Sequence, residues 1–178
     1  MKASLLPGNH ANLSTVNVVR AMALFTFGYE GLAIDGFIAR LKKAGVTVVV
    51  DVRELPLSRK KGFSKTAFAA ALSGAGIVYT HVPTFGCPKP IRNQYKIDRN
   101  WKRYEKAFNS YLATQASAVA GLAKFSKTTK ACLVCFEADF NFCHRSLVAR
   151  AAADAGGAGV IHLTATAEIA DRSVPLAA

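Results

Sequence analysis

The sequence has no apolar run near the roughly 20 uncharged residues that a membrane-spanning helix needs, which excludes a membrane protein. Its first 21 residues hold no sustained apolar segment of the kind a secretory signal requires. Acids are scarce: 11 Asp and Glu stand against 23 Lys and Arg, for a net charge of +12. That excess points to anionic partners without naming one. Familiar signatures are missing too. There is no Gly-rich phosphate loop of the P-loop or dinucleotide type, and no Gly-x-Ser-x-Gly elbow. No Cys is followed six residues later by the Arg of a phosphatase loop. No cofactor is therefore expected. Repeats and linker-like stretches are absent as well, so the 178 residues read as one domain. With 51% apolar and 19% charged residues, disorder of the bulk of the chain is excluded.

What is present is unevenly distributed. Residues 59–106 carry eleven Lys and Arg against Asp98 and Glu105, a local net charge of +9. This stretch is either a solvated face or a basic wall for a phosphate-bearing ligand or nucleic acid. Four cysteines, Cys87, Cys132, Cys135 and Cys143, in a chain without a secretory signal suggest free thiols in a reducing, cytoplasmic setting. Residues 1–21 are polar and aperiodic and stop at Met22, ahead of the first strand-like run. They read as a poorly ordered or misassigned N-terminal extension, with the domain over 22–178.

Periodicity then gives the fold class. Residues 24–27 are a short apolar strand. Asp35 reads as an N-cap for a helix bearing Phe37, Ile38 and Leu41, which Gly45 stops. Residues 46–52 are β-branched without alternation, the pattern of a strand buried on both faces. A helix over 65–73 and a strand over 77–82 follow. Residues 83–98, with three prolines, read as a long connection of the functional or mobile kind. One long helix then carries Trp101, Tyr104, Phe108, Tyr111, Leu112, Val119 and Leu122. Residues 131–136 are a fourth strand, 143–155 a helix and 160–163 a fifth strand, and the Ala-rich tail after Thr164 reads as one short helix. Strands alternating with helices predict a single-domain α/β fold: a mostly parallel sheet of about five strands with helices on both faces.

In such a sheet the ligand crevice lies beyond the carboxyl ends of the strands. Polar residues collect there: Tyr29 after the first strand, Asp51 and Arg53 at the second, His81 at the third, Cys135 and Glu137 at the fourth, and His162 on the fifth. Asp51 and Arg53 share a strand face, either to aim the Arg fork at an anion or as a plain ion pair. Ser58 and Arg59, with Lys60 and Lys61, form a basic loop able to close over a phosphate. Cys143-His144-Arg145 is the sharpest local feature. A Cys at a helix N-terminus beside His and Arg is a candidate thiolate, and Glu137 is a candidate orienter of His144 or general base. The alternative is that Cys143 packs and Arg145 anchors the loop. The expected roles are catalytic for Cys143, His144 and Glu137, and anion-binding for Arg53, Arg59 and Arg145. Tyr29, Asp51, Ser58, His81, Cys135 and His162 complete the cleft. Cys132, Cys135, Cys143 and His144 make a zinc set on paper, but positions 132 and 135 of a strand face opposite sides, so no metal is expected.

These residues resemble a known family, the domain of unknown function 488. The resemblance rests on Thr26-Phe27-Gly28-Tyr29, on Val50-Asp51-Val52-Arg53 with Pro56, Ser58, Arg59 and Phe63, on Gly76-Ile77-Val78-Tyr79, on Cys135-Phe136-Glu137, on Cys143-His144-Arg145 and on His162-Leu163. It implies a compact α/β domain with these motifs gathered in one cleft, and no specific activity. Phe85-Gly86-Cys87 departs from the Leu-Gly-Gly common there. A weaker likeness is to rhodanese-type sulfurtransferases, through Asp51-Val52-Arg53-Glu54 and the helix from Arg145. Their catalytic Cys lies five residues before that Arg, where this chain has none. The expected function is an enzyme or ligand-binding domain acting on an anionic, possibly nucleotide-like small molecule. The alternatives are a nucleic-acid-binding module using 59–106, with Trp101 or Tyr104 stacking on bases, and a sulfurtransferase. Nothing indicates a protein partner.

Overall fold

The computed structural model describes residues 23–173. The expectation for residues 1–21 lies outside that range. Six strands form one sheet: β1 (Leu24–Gly28), β2 (Val48–Asp51), β3 (Val78–His81), β4 (Ala131–Cys135), β5 (Val160–Leu163) and β6 (Glu168–Ala170). Their order is β3-β2-β4-β1-β5-β6, parallel except for β6. The helices are α1 (Ile34–Ala44), α2 (Lys65–Gly74), α3 (Lys89–Asp98), α4 (Trp101–Ala113), α5 (Ala116–Ser126) and α6 (His144–Asp154). No helix among the described residues is long and apolar enough to cross a membrane.

Strand alternation divides the core in two. Val49 of β2, Phe25 and Phe27 of β1 and Cys132 and Val134 of β4 face α1 and α2, where they meet Phe37, Leu41, Phe68 and Leu72. Val50, Leu133 and Cys135 face the other way, toward Phe108 and Leu112 of α4, Leu122 of α5 and Leu147 and Val148 of α6. Cys132 and Cys135 therefore lie in different cores, as their spacing predicts. The chain runs outward from β1 to β2 and β3, then returns to insert β4 between β2 and β1. The carboxyl ends of β2, β4 and β1 lie side by side there, at the switch point where such sheets bind ligands.

Four local readings are corrected. Residues 83–98 are not an open connection: a 3-10 turn (Pro83–Phe85) leads into α3. Pro88 and Pro90 sit at the start of that helix, where a missing N–H costs nothing. The long helix breaks into α4 and α5 at Thr114, whose hydroxyl bonds back to the Tyr111 carbonyl at 2.6 Å. The N-cap of α1 is Ala33, and Asp35 sits within its first turn. The tail after Thr164 turns back as β6 on the edge of β5, making six strands. Arg40 donates to the carbonyls of Thr164 and Ala167 at 2.9 and 2.7 Å, so tertiary contacts override the helical preference of alanine.

Candidate functional site

Three strand ends build the site. β1 ends at Gly28, where no side chain fits: a Cβ would lie 1.7 Å from the Glu137 carbonyl oxygen. The close approach lets the ladder run on past the strands, with the amides of Tyr29 and Glu30 donating to the carbonyls of Cys135 and Phe136 at 3.2 and 2.8 Å. Arg145, on the first turn of α6 and wholly buried, donates to the Glu137 and Ala138 carbonyls at 2.5 and 3.2 Å. The loop from β4 to α6 is thus held from both sides. Its own turns are closed by Asp139, which accepts from the Asn141 amide, and by Ser146, which donates to the Phe140 carbonyl.

That loop brings Cys135, Glu137, Cys143 and His144 together. One ligand-type atom from each lies within 4.8 Å of all the others. Glu137 Oε2 accepts from Cys135 Sγ at 2.9 Å and from Cys143 Sγ at 3.2 Å. His144 Nδ1 stands 3.7 Å from Cys135 Sγ and 4.0 Å from Cys143 Sγ. Its Nε2 lies 3.0 Å from the Val52 carbonyl. A carbonyl only accepts, so Nε2 carries the proton and the Nδ1 lone pair of the neutral ring faces the sulfurs. Cys143 is the N-cap of α6 and is buried, so its sulfur sits at the positive end of the helix.

The groups pull one another's ionisation apart. Burial opposes the Cys143 thiolate, but the hydrogen bond from Cys135, the Arg145 charge and His144 outweigh it and hold this thiol well below its ordinary value. Burial pushes the Cys135 thiol up, and the neighbouring Cys143 and Glu137 push it further. Burial and the Cys143 charge likewise raise Glu137. Burial works against the imidazolium of His144, yet Cys143, Glu137 and the Val52 carbonyl raise it overall.

The cluster opens into a cleft of about 550 Å³. Arg53, Arg59, Lys60 and Arg92 line it, together with Ser58, Tyr29, Cys87, Tyr95 and Tyr104. Of the expected residues, Tyr29, Arg53, Ser58, Arg59, Cys135, Glu137, Cys143 and His144 meet here. Arg53 is committed elsewhere for the most part. It pairs bidentately with Asp51 at 2.8 and 2.5 Å and donates to the Tyr29 hydroxyl and the Phe63 carbonyl at 2.9 and 2.8 Å. Burial opposes its charge, but Asp51 more than compensates and raises its pKa. Asp51 also accepts from Tyr79, and His81 donates to the Arg53 carbonyl, so both buttress Arg53 from outside the cleft lining.

Besides Asp51 and His81, two further expected residues lie outside the cleft lining. Arg145 holds the loop backbone and does not line the cleft. His162 is buried on β5, accepts from Thr26, pairs with Asp171 at 2.9 Å and stacks on Phe140 with centroids 4.0 Å apart. Tyr104 is buried and stacked against Trp101 at 4.9 Å. Arg92, Cys87 and Tyr95 were not foreseen. Arg92, on α3, pairs with Glu54 at 2.7 Å and faces the cleft. Prolines hid that helix, although Ile91 and Tyr95 already carried its spacing.

Searches of curated proteins and of solved structures find no match. A family model described as "Domain of unknown function DUF488" matches residues 33–152, which are 120 of the chain's 178. Both sulfurs of the cluster, Glu137, His144, Arg145 and the Asp51–Arg53 pair fall inside the matched range, and the chain belongs to the DUF488 family.

Proposed function

We propose that this domain is an enzyme or ligand-binding domain for an anionic small molecule. The anion rests on Arg59, Lys60 and Arg92, with Arg53 behind them, and the reacting end of the molecule meets Cys143. The observation that carries this reading is that the thiol cluster and the basic wall open into one cleft. Of the two acids on that surface, Glu54 offsets Arg92 through their ion pair and Glu137 accepts from the two thiols, which leaves Arg59 and Lys60 as the wall's net positive charge among the described residues. Arg59 is exposed and has no ion pair among the described residues, which leaves its guanidinium free for an anion. The Cys143 sulfur is the electron-pair donor of the site. Glu137 and the Nδ1 face of His144 are the proton carriers beside it.

The test is a thermal-shift panel of phosphate, sulfate, thiosulfate, nucleotides and short oligonucleotides, each at low and high salt. A ligand at 100 times its Kd stabilises a fold by about 2.7 kcal/mol. The expected result is a shift from a small anion that survives salt and is lost in the Arg59→Ala/Lys60→Ala double variant. A response to thiosulfate alone would favour sulfur transfer. Shifts from oligonucleotides only, vanishing with salt, would make the basic helices a nucleic-acid surface and overturn the reading.

A further inference from the structure

We propose that Cys135, Cys143, His144 and Glu137 form a binding site for a divalent cation of the zinc class. The proposal rests on the cleft being a reactive site and names what sits at its base. Sequence spacing argued against zinc because Cys132 faces the other core, and that argument holds for Cys132. The fold replaces it with Glu137, giving two sulfurs, one imidazole nitrogen and one carboxylate oxygen.

Three observations support a metal. The first is distance. Zinc bonds of about 2.3 Å to sulfur and 2.0–2.1 Å to nitrogen or oxygen imply tetrahedral S···N and S···O edges of roughly 3.6 Å. The S···N separations are 3.7 and 4.0 Å and the S···O separations 2.9 and 3.2 Å, so small side-chain adjustments reach that geometry. The second is orientation. His144 donates Nε2–H to the Val52 carbonyl and turns Nδ1 to the sulfurs, which is how an outer hydrogen bond fixes the tautomer of a ligating histidine. The third is arrangement. Cys135, Cys143 and His144 are buried, while Glu137 is half-buried and lines the cleft. Four protein ligands make a closed site, and Glu137, on the cleft side, is the ligand whose release would leave the three-ligand layout of a catalytic zinc. Soft thiolates with imidazole select zinc over magnesium or calcium. In the loaded site Cys143 would serve as a ligand, and the cation would polarise only an anion that takes the place of Glu137.

The experiment is titration of the chelator-treated full chain with Co(II), a spectroscopic stand-in for zinc. Expected are one equivalent bound, visible bands of a tetrahedral site, sulfur-to-cobalt charge transfer in the near ultraviolet, and displacement by Zn(II). Cys135→Ser and Cys143→Ser should each lose about half of the charge-transfer intensity, and Cys132→Ala should keep all of it. X-ray absorption on the zinc-loaded wild type, which needs no variant to fold, should give two sulfurs at about 2.3 Å. Absence of charge transfer in the wild type, or charge transfer indifferent to both Cys→Ser variants, overturns the metal site. Anion shifts in the chelator-treated chain together with no Co(II) binding overturn this proposal and leave the anion reading standing. Metal bound as described with no anion response overturns the anion reading and leaves the metal site standing.

Discussion

Replacing Arg145 by Met tests the account of how the site is held. Methionine keeps most of the volume and removes every donor. The guanidinium contributes two charge-assisted hydrogen bonds to the Glu137 and Ala138 carbonyls. Such bonds contribute about 1.5–3 kcal/mol each. Against this, the Arg145 Nε–H is buried without a partner, a cost of about 1–3 kcal/mol that the variant relieves. The balance is a loss of about 3 kcal/mol, or roughly 6–12 °C in Tm for a domain of this size. Chemical denaturation at neutral pH reads it. Hydrogen exchange should localise the effect, because the Tyr29 and Glu30 amides that bond to the same loop should lose protection before the amides of β2 do. A loss under about 1 kcal/mol, or protection lost uniformly, would refute the view that Arg145 is the strut of the loop.

Three further outcomes follow from the same contacts. Gly28→Ala pushes a methyl group into the Glu137 carbonyl and should displace the loop, so the variant should lose anion-induced thermal shifts even where it remains folded by circular dichroism. Phe108→Ala empties a fully buried position between the sheet and α6 and should cost about 3–5 kcal/mol in urea denaturation. Acidification should weaken the fold through His162. Burial, with Arg145 and Arg150 nearby, keeps its folded-state pKa below the ordinary value despite Asp171. Below about pH 6.5 the unfolded chain therefore takes up a proton that the folded chain refuses, and stability falls as pH drops. Asp171 is itself held low: burial opposes this, but Ser173, His162 and Arg150 outweigh it, so its contribution is lost only under stronger acid. The stability difference between wild type and His162→Gln should shrink from pH 7.5 to 5, and a constant difference would contradict the assignment.

The larger architecture was legible because each of the five parallel strands carries its own signal. Residues 46–52 read as doubly buried, and they form β2 at the interior of a parallel sheet. Cys143-His144-Arg145 read as a helix start, and Cys143 is the N-cap of α6. Two kinds of information were hidden. One is competition for donors: the sequence offered three arginines for an anion, but Asp51 and loop carbonyls claim most of two of them. The other is closure by distant segments. His162 read as a cleft residue until Asp171, in the tail that returns beside β5, and Phe140 enclosed it. The ligand-like grouping was weighed with a different fourth member and set aside for a related reason. Spacing rules for zinc weigh Cys and His, and only the fold brings Glu137, in place of Cys132, beside Cys135, Cys143 and His144.

The most direct test of the central claim is the order and charge preference of thiol alkylation, followed by peptide mass mapping in the presence of a chelator. Iodoacetate is an anionic electrophile and iodoacetamide is its neutral counterpart. Cys143 is predicted to react first of the four thiols. Its preference for iodoacetate should exceed that of a free thiol by about tenfold, the lower end of what a focused basic cleft produces. The excess should disappear in the Arg59→Ala/Lys60→Ala variant. Modification of Cys87 or Cys132 before Cys143, or a preference for the neutral reagent, would contradict an anion-binding cleft built around this sulfur.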